Sequence, residues 1–196
     1  MIESISIKEA KTQYPVLDVI RKRWSARAFS EQSITEEQLL TMIEAASWAP
    51  SSMNEQPWKY IVARKEDEQG FAKLLSVMNG SNAVWAQKSA ALLLCVATTT
   101  YGKEQDSNPS ALHDVGMANM SLLLQATALD IYTHVIGGFS REKAMTEFQL
   151  QPNETPVCMI VLGYLDSPDV LNEPFKTREI TPRSRKNLDT FYSFSS

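Results

Sequence analysis

The chain has 196 residues, 43% of them hydrophobic and 21% charged, with 19 basic and 23 acidic side chains for a net charge of -4. That is an ordinary globular balance, long enough for a sizeable core. An acidic chain offers no broad cationic surface for nucleic acid or anionic lipid. No linker, repeat or low-complexity tract divides it, so a single domain over residues 1–196 is expected. Cys95 and Cys158 lie in apolar strand-like runs, where buried free thiols are the expectation. Only two histidines occur, His113 and His134, without Cys/His clustering, so no metal site is expected. No apolar run reaches membrane-spanning length, and Met-Ile-Glu-Ser does not open a basic-then-apolar leader. A cytoplasmic protein with no membrane partner is the expectation.

In chain order, residues 15–24 read as a helix, with Val16, Val19 and Ile20 on one side and a proline near its start. Residues 25–29 look extended. Thr35 and Gln38 form a capping box at the head of an amphipathic helix over 36–48. A short strand follows at 59–63, then a helix over 66–78 that Asn79-Gly80 would stop. Residues 90–97 read as a strand buried on both faces, and 101–109 as a polar, irregular segment. The helix over 113–129 has little polar face: Met117, Ala118, Met120, Leu122, Leu123, Leu124, Ala126 and Ala128 cover most of its circumference. Such a helix must be buried on nearly all sides, either against a second subunit or at the centre of one core. A strand over 131–136, a helix over 141–148, a buried strand over 156–165 and a charged, then aromatic, tail complete the pattern. Interleaved strands and helices imply an α+β or α/β sheet with helices on its faces.

Four clusters could carry chemistry. Ala49-Pro50-Ser51-Ser52 and Asn54-Glu55-Gln56-Pro57-Trp58 put two prolines, hydroxyls and amides between Trp48 and Trp58. Stiff backbone with amides and hydroxyls suits a flat polar ring, although a proline-rich loop needs no ligand. In Arg23-Trp24-Ser25-Ala26-Arg27, alternation along an extended chain points Arg23, Ser25 and Arg27 to one side. Two guanidiniums and a hydroxyl there can grip a phosphate, whereas the other reading is a solvated basic helix end. Arg183-Ser184-Arg185-Lys186 repeats the choice at the other end of an acidic chain. Ile136-Gly137-Gly138-Phe139 lets backbone N–H groups approach a ligand closely, and a plain turn explains it as well. His113-Asp114 opens the long helix, where an acid is favourable without catalysis. Neither a dinucleotide fingerprint, a P-loop nor a nucleophile elbow occurs, so any chemistry falls to a cofactor.

Taken in order, these motifs resemble the nitroreductase family of FMN-dependent oxidoreductases. The matching run is Arg-x-Ser-x-Arg-x-Phe from Arg23, Ala-Pro-Ser-Ser-x-Asn-x-Gln-Pro-Trp from Ala49, Asn82, the apolar helix from Asp114, Ile-Gly-Gly-Phe from Ile136, and Arg183-Ser184-Arg185. The likeness spans nearly the whole chain. It implies a three-layer α-β-α arrangement of the α+β class, with a mainly antiparallel sheet, in an intertwined homodimer with two FMN sites at the interface. Carried across, Arg23, Ser25 and Arg27 should hold the FMN phosphate and pyrimidine edge, and Arg183 and Arg185 should complete the phosphate grip. Asn82 should reach the ring's polar edge. Pro50, Ser51, Ser52, Asn54 and Gln56 belong to the motif whose residues should line the isoalloxazine from the partner subunit. Ile136 should deliver the N–H of Gly137 or Gly138 to flavin N5.

Two departures stand out. Trp24 replaces a basic or imidazole side chain common in the family, and is expected to shift ring contacts or pack on the ribityl chain. Leu129-Asp130 replaces a frequent glycine after the long helix. The activity implied is ping-pong: NADH or NADPH reduces the flavin and leaves, and a nitroaromatic, quinone or similar small acceptor is then reduced. Alternatives are a flavin store or sensor without turnover, and a specialised member acting as a dehydrogenase or dehalogenase.

Overall fold

The computed structural model describes residues 2–102 and 106–195. Its centre is a four-stranded antiparallel sheet in the order β1-β2-β6-β5, built from β1 (Trp58–Arg64), β2 (Ala91–Thr98), β5 (Tyr132–Ile136) and β6 (Glu154–Gly163). A short ladder, β3 (Thr100–Tyr101) with β4 (Asp106–Ser107), stands apart. It occupies part of the segment read as irregular, of which residues 103–105 lie outside the described residues.

Strict alternation along the two central strands makes two cores. Leu92, Leu94, Val96, Met159 and Val161 face one side, where they meet α4 (Glu68–Ser76), α5 (Gly80–Ala86) and α7 (Arg141–Glu147) through Phe71, Leu74, Trp85 and Ala144. Leu93, Cys95, Cys158, Ile160 and Leu162 face the other, against α3 (Glu36–Ser47) and α6 (Ala111–Ala128) through Met42, Ala46, Val115, Ala118 and Leu122. A sheet buried on both faces by helices is the α-β-α sandwich expected of uniformly apolar strands. Each fully buried Leu in those rows contributes about 1.5–3 kcal/mol relative to exposure.

Helix boundaries follow local chemistry. Thr35 accepts from the Gln38 N–H at 3.2 Å, and the Gln38 side chain accepts from the Thr35 N–H at 3.0 Å, closing the predicted box. The helix read over 66–78 is shorter, and Asn79-Gly80 is not its stop alone. Asn79 is the extended N-cap of α5, an element the sequence reading missed. The helix read over 15–24 shrinks to α2 (Asp18–Lys22), because Trp24 leaves it to enter the core in extended backbone. Two further short helices, α1 (Glu3–Lys8) and α8 (Phe175–Ile180), were also unforeseen and pack on each other. At the end of α6, Asp130 adopts φ +56°, the Ile131 N–H bonds Ala126 and the Asp130 N–H bonds Thr127. That is a Schellman closure with Asp in the left-handed position where glycine is usual.

The long helix is not buried all round within one chain. Asp114, Val115, Ala118, Asn119, Leu122 and Ala126 face inward, while Leu112 and Met120 lie outward, 54% and 38% exposed.

Candidate functional site

Residues 23–29 run beside the free edge of β5, with Ser25 in parallel register with Thr133 and Phe29 antiparallel to Leu165. Alternation holds: Trp24, Ala26 and Ala28 are buried, and Arg23, Ser25 and Arg27 point the other way. A carboxylate that the sequence reading passed over fixes this strand. Glu179 of α8 is fully buried, and its Oε1 accepts the N–H groups of Arg27 at 2.8 Å and Ala28 at 2.9 Å. Burial pushes its pKa up, offset by these two bonds and by Arg27 and Lys8. Lys8 of α1 donates to the Arg178 and Thr181 carbonyls, each at 2.6 Å, tying off the end of α8. The signal in the sequence was thin: Glu179 is one of three acids in a tail rich in arginine and lysine.

Arg183 crosses from the tail to the end of α2. Its Nη1 and Nη2 donate to the Arg23 and Arg21 carbonyls at 2.6 Å, satisfying carbonyls that a helix C-terminus leaves free. Its Nε is buried and has no partner among the described residues. Arg23, Arg183 and Arg185 line one cleft of about 550 Å³, with Met120 of α6 and Ile20 of α2 on its wall. Burial and Arg185 lower the pKa of Arg23; burial, Arg23 and Arg185 lower that of Arg183, although a guanidinium stays charged. With Lys11 also in the lining, and Glu9, its acid, paired with Arg21, the cleft keeps a cationic surplus suited to an anion. Arg27 lies elsewhere, in a smaller pocket of about 210 Å³, with its guanidinium 5.8 Å from the Trp85 ring centre.

The strand β5 ends in Gly137-Gly138. The Gly138 carbonyl accepts the Asn79 N–H and the Asn82 side-chain amide, both at 3.1 Å. A Cβ on Gly138 would sit 2.8 Å from Asn82 Nδ2, so only glycine allows this approach; a Cβ on Gly137 would meet nothing within 4 Å. Among the described residues, neither glycine's N–H has an acceptor in the protein. Ile136 turns into the core beside them. His134, two residues before Ile136, bonds the Ala26 carbonyl through Nδ1 at 2.9 Å and packs 4.6 Å from the Trp85 ring. Burial, with Arg27 close by, lowers its pKa to about 4, so it is neutral at pH 7.

The proline-rich loop occupies the opposite edge, where the chain enters β1. Met53, Asn54 and Gln56 adopt φ of 55°, 55° and 53°, three left-handed non-glycine residues within four positions. Such a loop stores strain of order 1–3 kcal/mol per residue and persists only where its surroundings hold it. Asp114 of α6, 2% exposed, accepts the Ser52 N–H at 2.9 Å, and the hydroxyls of Ser52 and Tyr101 share a 3.0 Å bond. Ser51 Oγ accepts the Gln56 N–H, and the Gln56 amide returns to the Asn54 carbonyl. The acid read as a helix-end charge is thus the loop's anchor. Strands lie about 4.8 Å apart, so the four steps from β1 to the 23–29 strand separate loop and arginines by about 19 Å.

Comparison with known proteins settles the lineage. A family model described as "Nitroreductase family" matches residues 20–164. The chain belongs to the nitroreductase family. A protein of Archaeoglobus fulgidus named "Putative NADH dehydrogenase/NAD(P)H nitroreductase" is 31% identical over 152 residues, covering 76% of this chain and 84% of that one. A solved structure described as "the oxidoreductase containing FMN" superimposes with a TM-score of 0.89 at 28% identity, over 93% of each chain. A nitroreductase family protein of Clostridium difficile 630, at 21% identity and a TM-score of 0.71 over 91% of this chain and 96% of that one, shares the fold.

Within the nitroreductase frame the structure gathers Arg23, Arg183 and Arg185 in one cleft and couples Asn82 to Gly138. It corrects Trp24. That ring is only 3% exposed, set edge-on to Tyr132 under the Lys8 ammonium, so its side chain belongs to the core and not to a ligand surface. Alternation forces this, since Trp24 has the parity of Ala26 and Ala28.

Proposed function

We propose that this chain is an FMN-dependent oxidoreductase that takes reducing equivalents from NADH or NADPH and passes them, in alternating half-reactions at one site, to a small acceptor such as a nitroaromatic or quinone. The observation that carries the reading is the extended run from Arg23 to Arg27. Four residues at about 3.3 Å each span about 13 Å, from a cationic cleft at one end to the helix bearing Asn82 at the other. The donor set suits FMN: clustered guanidiniums, a buried Arg183 Nε without a partner, and two glycine N–H groups with no acceptor among the described residues. When bound, FMN supplies the hydride chemistry at its N5.

The protein's part is to hold and orient. Arg23, Ser25, Arg183 and Arg185 take the phosphate end, with Arg27 and Asn82 at the polar ring edge. Ile136 ends the strand so that the Gly137 or Gly138 N–H faces N5. Backbone donors suit that position because they carry no titrating proton of their own. The loop residues Pro50, Ser51, Ser52, Asn54 and Gln56 line the ring of the partner subunit's site, since they cannot reach their own chain's arginines across the sheet. The same homodimer covers Leu112 and Met120 of α6, Leu40 of α3 and the exposed tail aromatics Phe191, Tyr192 and Phe194. Met120→Arg is expected to sediment as a monomer.

The deciding measurement is the visible spectrum of the purified protein, followed anaerobically with NADH and with NADPH. Flavin bands that bleach, and return when a quinone is added, are expected. Flavin bands unmoved by either nucleotide would leave a flavin store, and a colourless protein that takes up no FMN would overturn the reading.

A further inference from the structure

Cys95 and Cys158 stand directly opposite each other on adjacent antiparallel strands, β2 and β6. Both side chains project to the α6 side of the sheet, and both thiols are free. Facing residues on such strands hold their Cβ atoms about 4.5–5.5 Å apart, and a disulfide needs about 3.5–4.5 Å. Closure therefore asks for roughly an ångström of movement. The next step of the ladder can give it. Val96 pairs with Pro156, so Val157 is an extra residue on β6 and the register is broken immediately beside the pair.

A single buried thiol is inert. This pair is not placed as two inert thiols. The Asn119 side-chain amide donates to Cys158 Sγ at 3.4 Å. Asn119 is in turn held by the Tyr60 hydroxyl, which donates to its Oδ1 at 2.9 Å. A relay of polar groups thus runs through an otherwise apolar core and ends on one sulfur. Neighbouring Cys95 and the Asn119 amide lower the pKa of Cys158, while burial raises that of Cys95. Of the two thiols Cys158 is the less buried, 9% exposed against 0% for Cys95. The β5 ladder ends at Ile136 opposite Met159, so Cys158 is the first residue of β6 beyond the end of its neighbour. The chain leaves β5 there as Gly137, around whose Cβ position no atom lies within 4 Å.

We propose that Cys95 and Cys158 are an oxidisable dithiol, which a small hydroperoxide closes into an intrachain cross-strand disulfide. In the first step the Cys158 sulfur attacks one peroxide oxygen. The O–O bond breaks, a sulfenic acid forms and water leaves. In the second step the Cys95 sulfur attacks the sulfenic sulfur, the S–O bond breaks and a second water leaves. Overall, two thiols and one hydrogen peroxide give one disulfide and two waters, with the peroxide taking both electrons. This does not depend on the flavin reading.

The test uses the full chain and hydrogen peroxide. Folded protein is exposed to peroxide, quenched, unfolded and alkylated, and its intact mass is measured. Reduced protein carries two alkyl groups; the oxidised form is expected to carry none, to weigh two hydrogens less and to regain both alkyl groups after dithiothreitol. Cys95→Ser should stop at a sulfenic acid on Cys158 that dimedone traps. Cys158→Ser should leave Cys95 fully alkylatable, because the buried partner does not react alone. Retention of both alkyl groups in wild-type protein, under peroxide that fully oxidises glutathione alongside it, would overturn the proposal. So would a disulfide found only between chains.

Discussion

The two edges of the sheet solve different problems. The edge built from residues 23–29 and β5 is cationic and tied by its own chain: Glu179 holds its backbone, and Arg183 fastens the tail to it. Among the described residues, the edge at β1 gathers no arginine cluster of that kind. It holds a strained loop, fixed by Ser52 to Asp114 and Tyr101. One edge can bind an anion by electrostatics with little further ordering. The other presents a shaped, neutral surface at a cost in backbone strain. On the proposed reading, strength of binding and the shape around the ring would fall to different ends of the fold.

That contrast can be broken at several points, the largest first. Arg23→Ala combined with Arg27→Ala should weaken FMN binding more than 100-fold, since two charge-assisted contacts of about 1.5–3 kcal/mol each are lost. Flavin fluorescence titration measures it, and a loss under tenfold would deny the cationic edge its role. His134 gives a pH test of the same edge. Its folded pKa of about 4 lies below the unfolded value of 6.5, so the unfolded chain binds the extra proton between those pH values. Stability should be full above pH 6.5 and fall by about 3 kcal/mol as pH drops to 4. His134→Gln should flatten that slope in denaturant titrations.

The glycine pair sharpens the comparison further. Gly138→Ala should cost about 1–3 kcal/mol because its Cβ collides with Asn82. Gly137→Ala, with open space around it, should stay within about 0.5 kcal/mol of the wild type while slowing flavin reduction in stopped flow. Equal destabilisation by both would show that the turn is only structural. The smallest effect belongs to the other edge. Met53→Gly should raise stability by about 0.5–1 kcal/mol by relieving a left-handed residue, and it should lower turnover if the loop's shape matters.

Much of this was legible in the residues. Runs apolar on both faces marked both central strands, and the Thr35–Gln38 box marked the start of α3 to the residue. Parity along 23–29 put Arg23, Ser25 and Arg27 on one side, though Arg27 reaches a separate pocket, and the same parity should have sent Trp24 inward. What was not legible depends on contacts distant in sequence. Short helices such as α1 and α8 have too few turns to show a period, and they exist because Lys8 and Glu179 bond across the fold. Asn79 read as a stop because nothing local distinguishes the end of one helix from the cap of the next. Asp114 looked like a helix-end charge until its partner, Ser52, was seen 62 residues away.

The clasp between Arg183 and the end of α2 has a consequence for the order in which the protein is made. A ribosome delivers the chain from its first residue onward. Once residue 163 has emerged, every strand of the main sheet exists and most of both cores can close, although Leu171 is still missing from one of them. The cationic cleft cannot, because Glu179, Arg183 and Arg185 are still to come. On the proposed reading, a chain at that stage would be folded yet unable to hold its anion, and binding would follow the folding back of residues 179–185 onto the sheet edge.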